Sequence, residues 1–276
     1  METVLKVENL RKRFDKEEVL KGVSFELNKG EVLAIIGSSG GGKTTLLRCL
    51  NQLVIPDSGK IIVNDDVIFD DALGKENEKN LRTKRLHFGL VFQQFNLFPQ
   101  YNVFNNLTLA ARLLAKENNK KNKGSAEDLK KEYARIDEEA TKLLERVGLK
   151  DKMKAYPCEL SGGQQQRVAV VRGVINHPEV LFADEPTGAL NSQNTVNVLD
   201  ILSDLNNDGQ SIVMVTHTIM AAERGNRVIY LSDGVISDEI YLGKYLGDYK
   251  DESNPNVEEA RERHSRLKLF LQNMGW

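Results

Sequence analysis

Gly37-Ser38-Ser39-Gly40-Gly41-Gly42-Lys43-Thr44 lies between an apolar run at residues 32–36 and a breaker-free stretch of helix formers at residues 44–50. Strand, loop and helix in immediate succession leave few architectures open. The eight residues fit the spacing G-x-x-x-x-G-K-[ST], which average composition produces by chance in roughly one chain in a hundred of this size. Each position has a physical reason. Glycines let the backbone curl so that successive N–H groups converge, and the following helix N-terminus adds partial positive charge, so the loop is a cradle for phosphate. In that cradle Lys43 reaches the β- and γ-phosphates and the Thr44 hydroxyl ligates Mg²⁺. A merely flexible glycine loop is the alternative, and it leaves the placement of Lys43 and Thr44 at the helix entrance unexplained.

A second feature belongs beside that loop. Residues 180–183 form an apolar strand that ends in Asp184-Glu185, and the C-terminal ends of strands are where open α/β sheets place ligands. Neighbouring strand residues point to opposite sides, so the two acids are expected to have separate jobs. Asp184 holds Mg²⁺, and Glu185 polarises or orients the attacking water. An Asp-Glu pair alone is weak, since such pairs often cap a following helix; it gains weight from the phosphate loop. His217 ends another strand, at residues 212–216, and is expected to hydrogen-bond the γ-phosphate or the water, a purely structural histidine being the alternative.

The rest of the chain alternates strands and helices. Strands are expected at 4–7, 22–27, 60–63, 211–216 and 227–231, turns at Asn28-Lys29-Gly30 and Pro56-Asp57-Ser58-Gly59, and a hairpin through Asp233-Gly234. Leu129, Tyr133, Ile136, Ala140, Leu143, Leu144 and Val147 give an amphipathic helix stopped at Gly148, and residues 196–205 another. Residues 116–125 are polar and aperiodic and read as an exposed loop or helix connection. Leu267, Phe270, Leu271 and Met274 fall on one helical face ahead of Gly275 and Trp276, expected to pack on their own domain or, alternatively, to bind a partner. This alternation argues for a mainly parallel, layered α/β sheet. Lys and Arg total 38 against 40 Asp and Glu, a net charge of -2, so no nucleic-acid partner is expected. Apolar stretches are strand-sized and no secretory leader is recognised, so the chain is expected in the cytosol. Cys49 and Cys158 are read as reduced structural thiols.

Leu160-Ser161-Gly162-Gly163-Gln164-Gln165-Gln166-Arg167 is more than a generic phosphate-loop enzyme needs; its first five residues match by chance in about one chain in a few thousand. It looks like the ABC transporter signature. With it, the sequence resembles the ATP-binding cassette family over residues 2–240. That resemblance implies a P-loop NTPase (RecA-like) α/β core with an antiparallel β subdomain and an inserted α-helical subdomain at about 94–176, followed by a charged, helical extension at 241–276. It implies ATP and Mg²⁺ as cofactors and ATP hydrolysis coupled to transport. Phe14 is placed like the aromatic that stacks on adenine, and Gln93 like the glutamine that contacts nucleotide and metal. Gly37, Ser38, Ser39, Gly40, Gly41, Gly42, Lys43, Thr44 and Thr45 bind the phosphates. Thr44, Gln93 and Asp184 hold the metal, and Lys43, Glu185 and His217 are catalytic.

In this family two cassettes pair head to tail, so Ser161, Gly162, Gly163 and Gln164 are expected to grip the nucleotide of a second subunit, most simply an identical one. Their hydroxyl and unhindered N–H groups at a helix start suit an anion. One departure stands out: where the family usually has Ser-Ala-Leu-Asp, this chain has Gly188-Ala189-Leu190-Asn191, which keeps an acceptor but loses a charge. Phe95, Leu97, Phe98 and Tyr101 follow Gln93 in the region (93–101) that in the family receives a helix of an integral membrane permease; ordinary packing is the alternative. The expected location is the cytoplasmic face of the membrane. Phe92-Gln93-Gln94-Phe95-Asn96-Leu97-Phe98-Pro99 resembles polar amino-acid uptake ATPases, whereas residues 183–192 with the hairpin 227–236 resemble macrolide-export and lipoprotein-release ATPases. The primary expectation is the export or extraction type and the alternative is amino-acid uptake. A soluble cassette acting on ribosomes or DNA, and a non-hydrolysing sensor, are the other classes. The first usually has two cassettes or a coiled coil, and the second is opposed by Glu185 and His217.

Overall fold

Twelve-residue strands open the chain where alternation predicts shorter ones: β1 (Thr3–Phe14) pairs antiparallel with β2 (Glu17–Asn28). Val7 and Leu10 are both buried although three apart, because a register shift falls between them at Asn9, whose φ is 48°. The bulge changes the phase of burial and hides the rest of the strand from a period-2 reading. The computed structural model describes residues 2–74 and 77–276; Met1, part of the N-terminal segment considered above, lies outside them. Two compact units divide the chain: Met1–Phe88, Glu179–Pro186 and Ser203–Trp276 form the first, and Gly89–Pro178 with Thr187–Leu202 form the second.

In the first unit β3 (Val32–Ile36) and α1 (Lys43–Leu50) follow, then β4 (Ser58–Val63), β5 (Asp66–Asp70) and α2 (Glu78–Lys84). The chain enters the second unit along β6 (Phe88–Val91). There it forms α3 (Val103–Lys121), α4 (Ala126–Arg146) and α5 (Gly162–Val174). Next come β7 (Val180–Asp184), α6 (Ser192–Asn207), β8 (Ser211–Val215), α7 (Ile219–Ala222), β9 (Arg227–Ser232), β10 (Val235–Tyr241) and α8 (Val257–Asn273). An antiparallel sheet has the order β2-β1-β4-β5. The other sheet runs β10-β9-β3-β8-β7 within the first unit; β3, β7, β8 and β9 are parallel and β10 is the antiparallel edge. Every residue of β3, β7 and β8 is buried, the pattern of strands covered on both faces.

Residues 241–276 belong to the first unit, where α8 sets Leu267, Phe270 and Leu271 against Ala34 and Ile36 of β3 and Val228 and Tyr230 of β9. Arg263, only 5% exposed, donates to the carbonyls of Leu242, Gly243, Glu223 and Gly225. A buried side chain that serves four backbone acceptors ties α8 to the loops at both ends of the β9–β10 hairpin. Arg263→Met should lower stability by about 2 kcal/mol through the orphaned carbonyls, read as a shifted urea midpoint; a shift equivalent to less than about 0.5 kcal/mol, within the range of neutral surface changes, would show that the clamp contributes nothing.

In the second unit α4 begins with a capping box between Ser125 and Asp128 and stops where Gly148, at φ +68°, donates to Glu145 O and Leu149 donates to Leu144 O. The expected loop at 116–125 is corrected. α3 continues to Lys121 with the Glu117–Lys121 pair on its surface, leaving only residues 122–125 as connection. A solvated helix end carries no apolar stripe, so periodicity could not reveal it. Among the described residues no helix is long and apolar enough to cross a membrane.

Candidate active site

Gly37 follows β3 at a point where a Cβ would lie 1.8 Å from Leu231 O, so the loop turns flush against β9. Gly42, at φ 96°, is the N-cap of α1 and provides no side-chain cap. The first N–H groups of that helix therefore keep their capacity for an external anion. Lys43 is buried, and its Nζ donates to Gly37 O at 2.9 Å and Ser38 O at 2.7 Å. An ammonium has three donors, so these bonds hold the charge at the loop with one left for a ligand. Residues 37–45 line a cavity of about 690 Å³ together with Val19, Glu185, His217 and Trp276.

Asp184 closes β7 beneath α1, 9% exposed, and accepts a hydrogen bond from Thr44 Oγ1 at 3.3 Å. Burial raises its pKa above the usual carboxylate range, with the Glu185 charge adding to the rise and the Thr44 hydrogen bond opposing it. Lys43 is shifted down by burial, against the pull of Glu185 and Asp184. A buried carboxylate penalised in this way gains from a nearby cation, and with the Thr44 hydroxyl it offers two hard oxygen donors, a set that suits Mg²⁺. Among the described residues no cluster of three or more His, Cys, Asp or Glu side chains could hold a metal.

Glu185 corrects the reason given for the separate roles of the two acids. It lies past the strand at φ 48°, its N–H bonded to Val215 O at 2.9 Å. A left-handed turn, rather than strand alternation, sets the direction of its side chain; such strain is sustained where the surroundings over-determine it. Glu185 Oε2 meets His217 Nδ1 at 3.2 Å, and both line the cavity. Phe14 belongs to the same unit and is half exposed beneath Lys12 Nζ, 5.3 Å from its ring centroid, but is not among the residues that line the cavity. Val19 and Trp276, both missed in the sequence reading, are. Val19 could have been suspected from β2 preceding the loop; Trp276 had no local signal.

Gln93, Ser161, Gly162, Gly163 and Gln164 belong to the second unit. Ser161 caps α5 in a box with Gln164: its Oγ accepts from Gln164 N at 3.3 Å, and its N–H donates to Gln164 Oε1 at 2.9 Å. The hydroxyl hydrogen stays available to an acceptor. A Cβ on Gly163 would meet Asn194 Oδ1 at 2.2 Å, and one on Gly188 would meet Gln93 Nε2 at 2.7 Å. Asn191 Oδ1 accepts from Asn194 N at 3.0 Å and Nδ2 at 2.9 Å. The unusual asparagine thus keeps the helix-capping acceptor that an aspartate would supply. Phe98 is exposed, whereas Phe95, Leu97 and Tyr101 are half buried, with the 98–102 turn held by four hydrogen bonds of the buried Asn106 side chain.

An uncapped helix end and glycine loop at the carboxyl edge of a parallel sheet, with a hydroxyl and a carboxylate behind them, define a P-loop nucleoside triphosphatase. The family model described as ABC transporter matches residues 20–188. The chain belongs to the ABC transporter family as an ATP-binding subunit, an ATPase coupled to transport. It is 40% identical to the L-cystine import ATP-binding protein of Bacillus subtilis, over 86% of this chain and 90% of that one. It is 37% identical to the glutamine transport ATP-binding protein of the same organism, over 94% and 97%. A dimeric post-hydrolysis structure of an ATP-binding cassette bound to ADP and Pi is 32% identical, with a TM-score of 0.70 over 86% of this chain and 98% of that one.

Proposed function

We propose that the chain powers the uptake of a polar amino acid. The observation that carries this reading is that amino-acid import and transport ATPases match nearly the whole chain, at 37 to 40% identity. The export reading drew on residues 183–192 and the hairpin 227–236, which adjoin the hydrolytic carboxylates and the phosphate loop and have no reason to report on cargo. The Phe-Gln-Gln-Phe-Asn-Leu-Phe-Pro segment supports uptake. Cells lacking the gene should lose uptake of one of a radiolabelled panel of cystine, glutamine, arginine and methionine, restored by the wild-type gene and not by Glu185→Gln. Intact uptake of the whole panel together with new macrolide sensitivity or retained lipoproteins would reverse the reading toward export.

Within one catalytic cycle, residues 37–45 hold the triphosphate, with the Lys43 ammonium at the β- and γ-phosphates. Thr44 and Asp184 are the assigned Mg²⁺ ligands; for Gln93 the metal role rests on family resemblance. With Mg²⁺ held by these residues, the ion would supply positive charge to offset that developing on the phosphoryl group. Glu185 takes the proton of the attacking water, and His217 holds Glu185 and the γ-phosphate in register. Phe14 stacks on the adenine. Ser161, Gly162, Gly163 and Gln164 of a second copy close over the nucleotide, so ATP joins the two subunits and its cleavage lets them part.

Residues 93–101 receive the permease at the cytoplasmic face of the membrane. Phe98 and Tyr156 are large and exposed in the second unit, the side chains an inserted helix would cover. Phe98→Asp should reduce permease recovered from detergent extract at least about fivefold, the scale of an aromatic anchor. Its unfolding free energy should stay within about 0.5 kcal/mol of wild type. Undiminished recovery would move the contact elsewhere.

A further inference from the structure

Trp276 is the one tryptophan of the chain, and it lines the triphosphate cavity although it is far in sequence from the loop. Its position is held from three sides. Leu267, Phe270 and Leu271 bury α8 on β3 and β9, and Met274 packs on the same cluster as Ile219, two residues past His217. Arg263 fastens the helix to four carbonyls. The helix then ends in a Schellman turn: Gly275, at φ +78°, donates to Gln272 O at 3.1 Å, and Trp276 donates through its backbone N–H to Leu271 O at 3.0 Å. The backbone N–H of Trp276 is thus bonded, while the residue as a whole remains 41% exposed. A large aromatic ring that lines a cavity gains when a ligand covers it.

We propose that Trp276 is a nucleotide-contacting residue, its indole walling the cavity on the His217 side and lying against the bound nucleotide, with Nε1–H a donor to phosphate oxygen. The assignment rests on the ATP-binding reading of that cavity and adds a residue to it that the phosphate loop, the carboxylates and the signature do not include. An indole contributes apolar area and one donor, so replacing it by phenylalanine separates the two: the ring is kept and the N–H is lost.

The lone tryptophan makes the test direct. Wild-type protein is titrated with Mg²⁺–ADP and Mg²⁺–ATPγS while its emission and its quenching by acrylamide are followed, with equilibrium dialysis of radiolabelled ADP in parallel. Emission should change saturably at the dissociation constant that dialysis gives, and nucleotide should lower the quenching constant at least about twofold as the exposed ring is covered. Trp276→Ala should weaken binding about five- to thirtyfold and Trp276→Phe about two- to fivefold, the range of one buried aromatic contact with and without its donor. Leu269→Ala, on the exposed side of α8, should bind as wild type, and thermal unfolding of each variant shows whether α8 remains docked. Normal occupancy by dialysis with unchanged emission and quenching overturns the assignment, as does Trp276→Ala binding within twofold of wild type. Absence of any bound nucleotide in dialysis overturns the ATP-binding reading and this assignment with it.

Discussion

ATP turnover by Glu185→Gln falls about a hundred- to ten-thousandfold, the range associated with loss of a positioned general base, while nucleotide affinity stays close to wild type. Geometry separates the two effects. The groups proposed to hold the phosphates, Lys43, Thr44 and the loop N–H groups, do not include Glu185, whose carboxylate instead meets His217 Nδ1 at 3.2 Å. Glutamine keeps the size of the side chain and a carbonyl oxygen toward His217, but it cannot take a proton from water at neutral pH. Because its backbone is held at φ 48° by the bond from its N–H to Val215 O, the substitution leaves the turn as it is. Phosphate release and equilibrium binding measured on the same preparation check this. If nucleotide joins paired subunits, gel filtration with ATP should show the variant accumulating as a dimer, since the bridging γ-phosphate persists. Turnover within threefold of wild type would remove Glu185 from the role of base and leave His217 as the remaining candidate.

Which parts of this site were legible in the sequence follows from how local their causes are. Residues 37–44 carry their own geometry, because a glycine loop and a helix entrance are specified within eight positions. Asp184 was readable as the end of an apolar strand, and its bond to Thr44 is the tertiary consequence. The turn at Glu185 was not readable: a left-handed glutamate contradicts intrinsic preference and is imposed by β8 beside it, through Val215 O. Alternation alone ends β1 early, because the bulge at Asn9 shifts which positions are buried. The end of α3 was lost for the opposite reason, since its charged and amide side chains have no apolar face to betray the helical period. Asn191 loses a charge, as the sequence shows, and its neutral acceptor caps α6, a bond that only the fold displays. Val19 and Trp276 join the cavity only because β2 and α8 are folded against the core that carries the loop. Nothing within a window around either residue encodes that meeting.

Gly37→Ala is expected to weaken nucleotide binding more than a hundredfold, about 3 kcal/mol or more, although it adds a single methyl group. That methyl would stand 1.8 Å from Leu231 O and 2.8 Å from Leu231 C, far inside contact distance of atoms that cannot swing aside. Leu231 belongs to β9, which is bonded to β3 on one side, with Ile36 opposite Tyr230, and to β10 on the other, with Leu231 opposite Ile236. Relief must therefore come from the loop, and any shift there displaces the N–H groups that are proposed to hold the phosphates. Gly40→Ala is the control: a Cβ there meets nothing within 4 Å, and only its φ of +77° is unfavourable. That costs about 1 kcal/mol for a side chain, a loss of less than about tenfold. Titration of both variants with a fluorescent ATP analogue, after circular dichroism confirms that each is folded, gives the comparison. Equal affinities for the two would mean that β9 yields to the loop and that the cradle is not held in shape by the sheet beneath it.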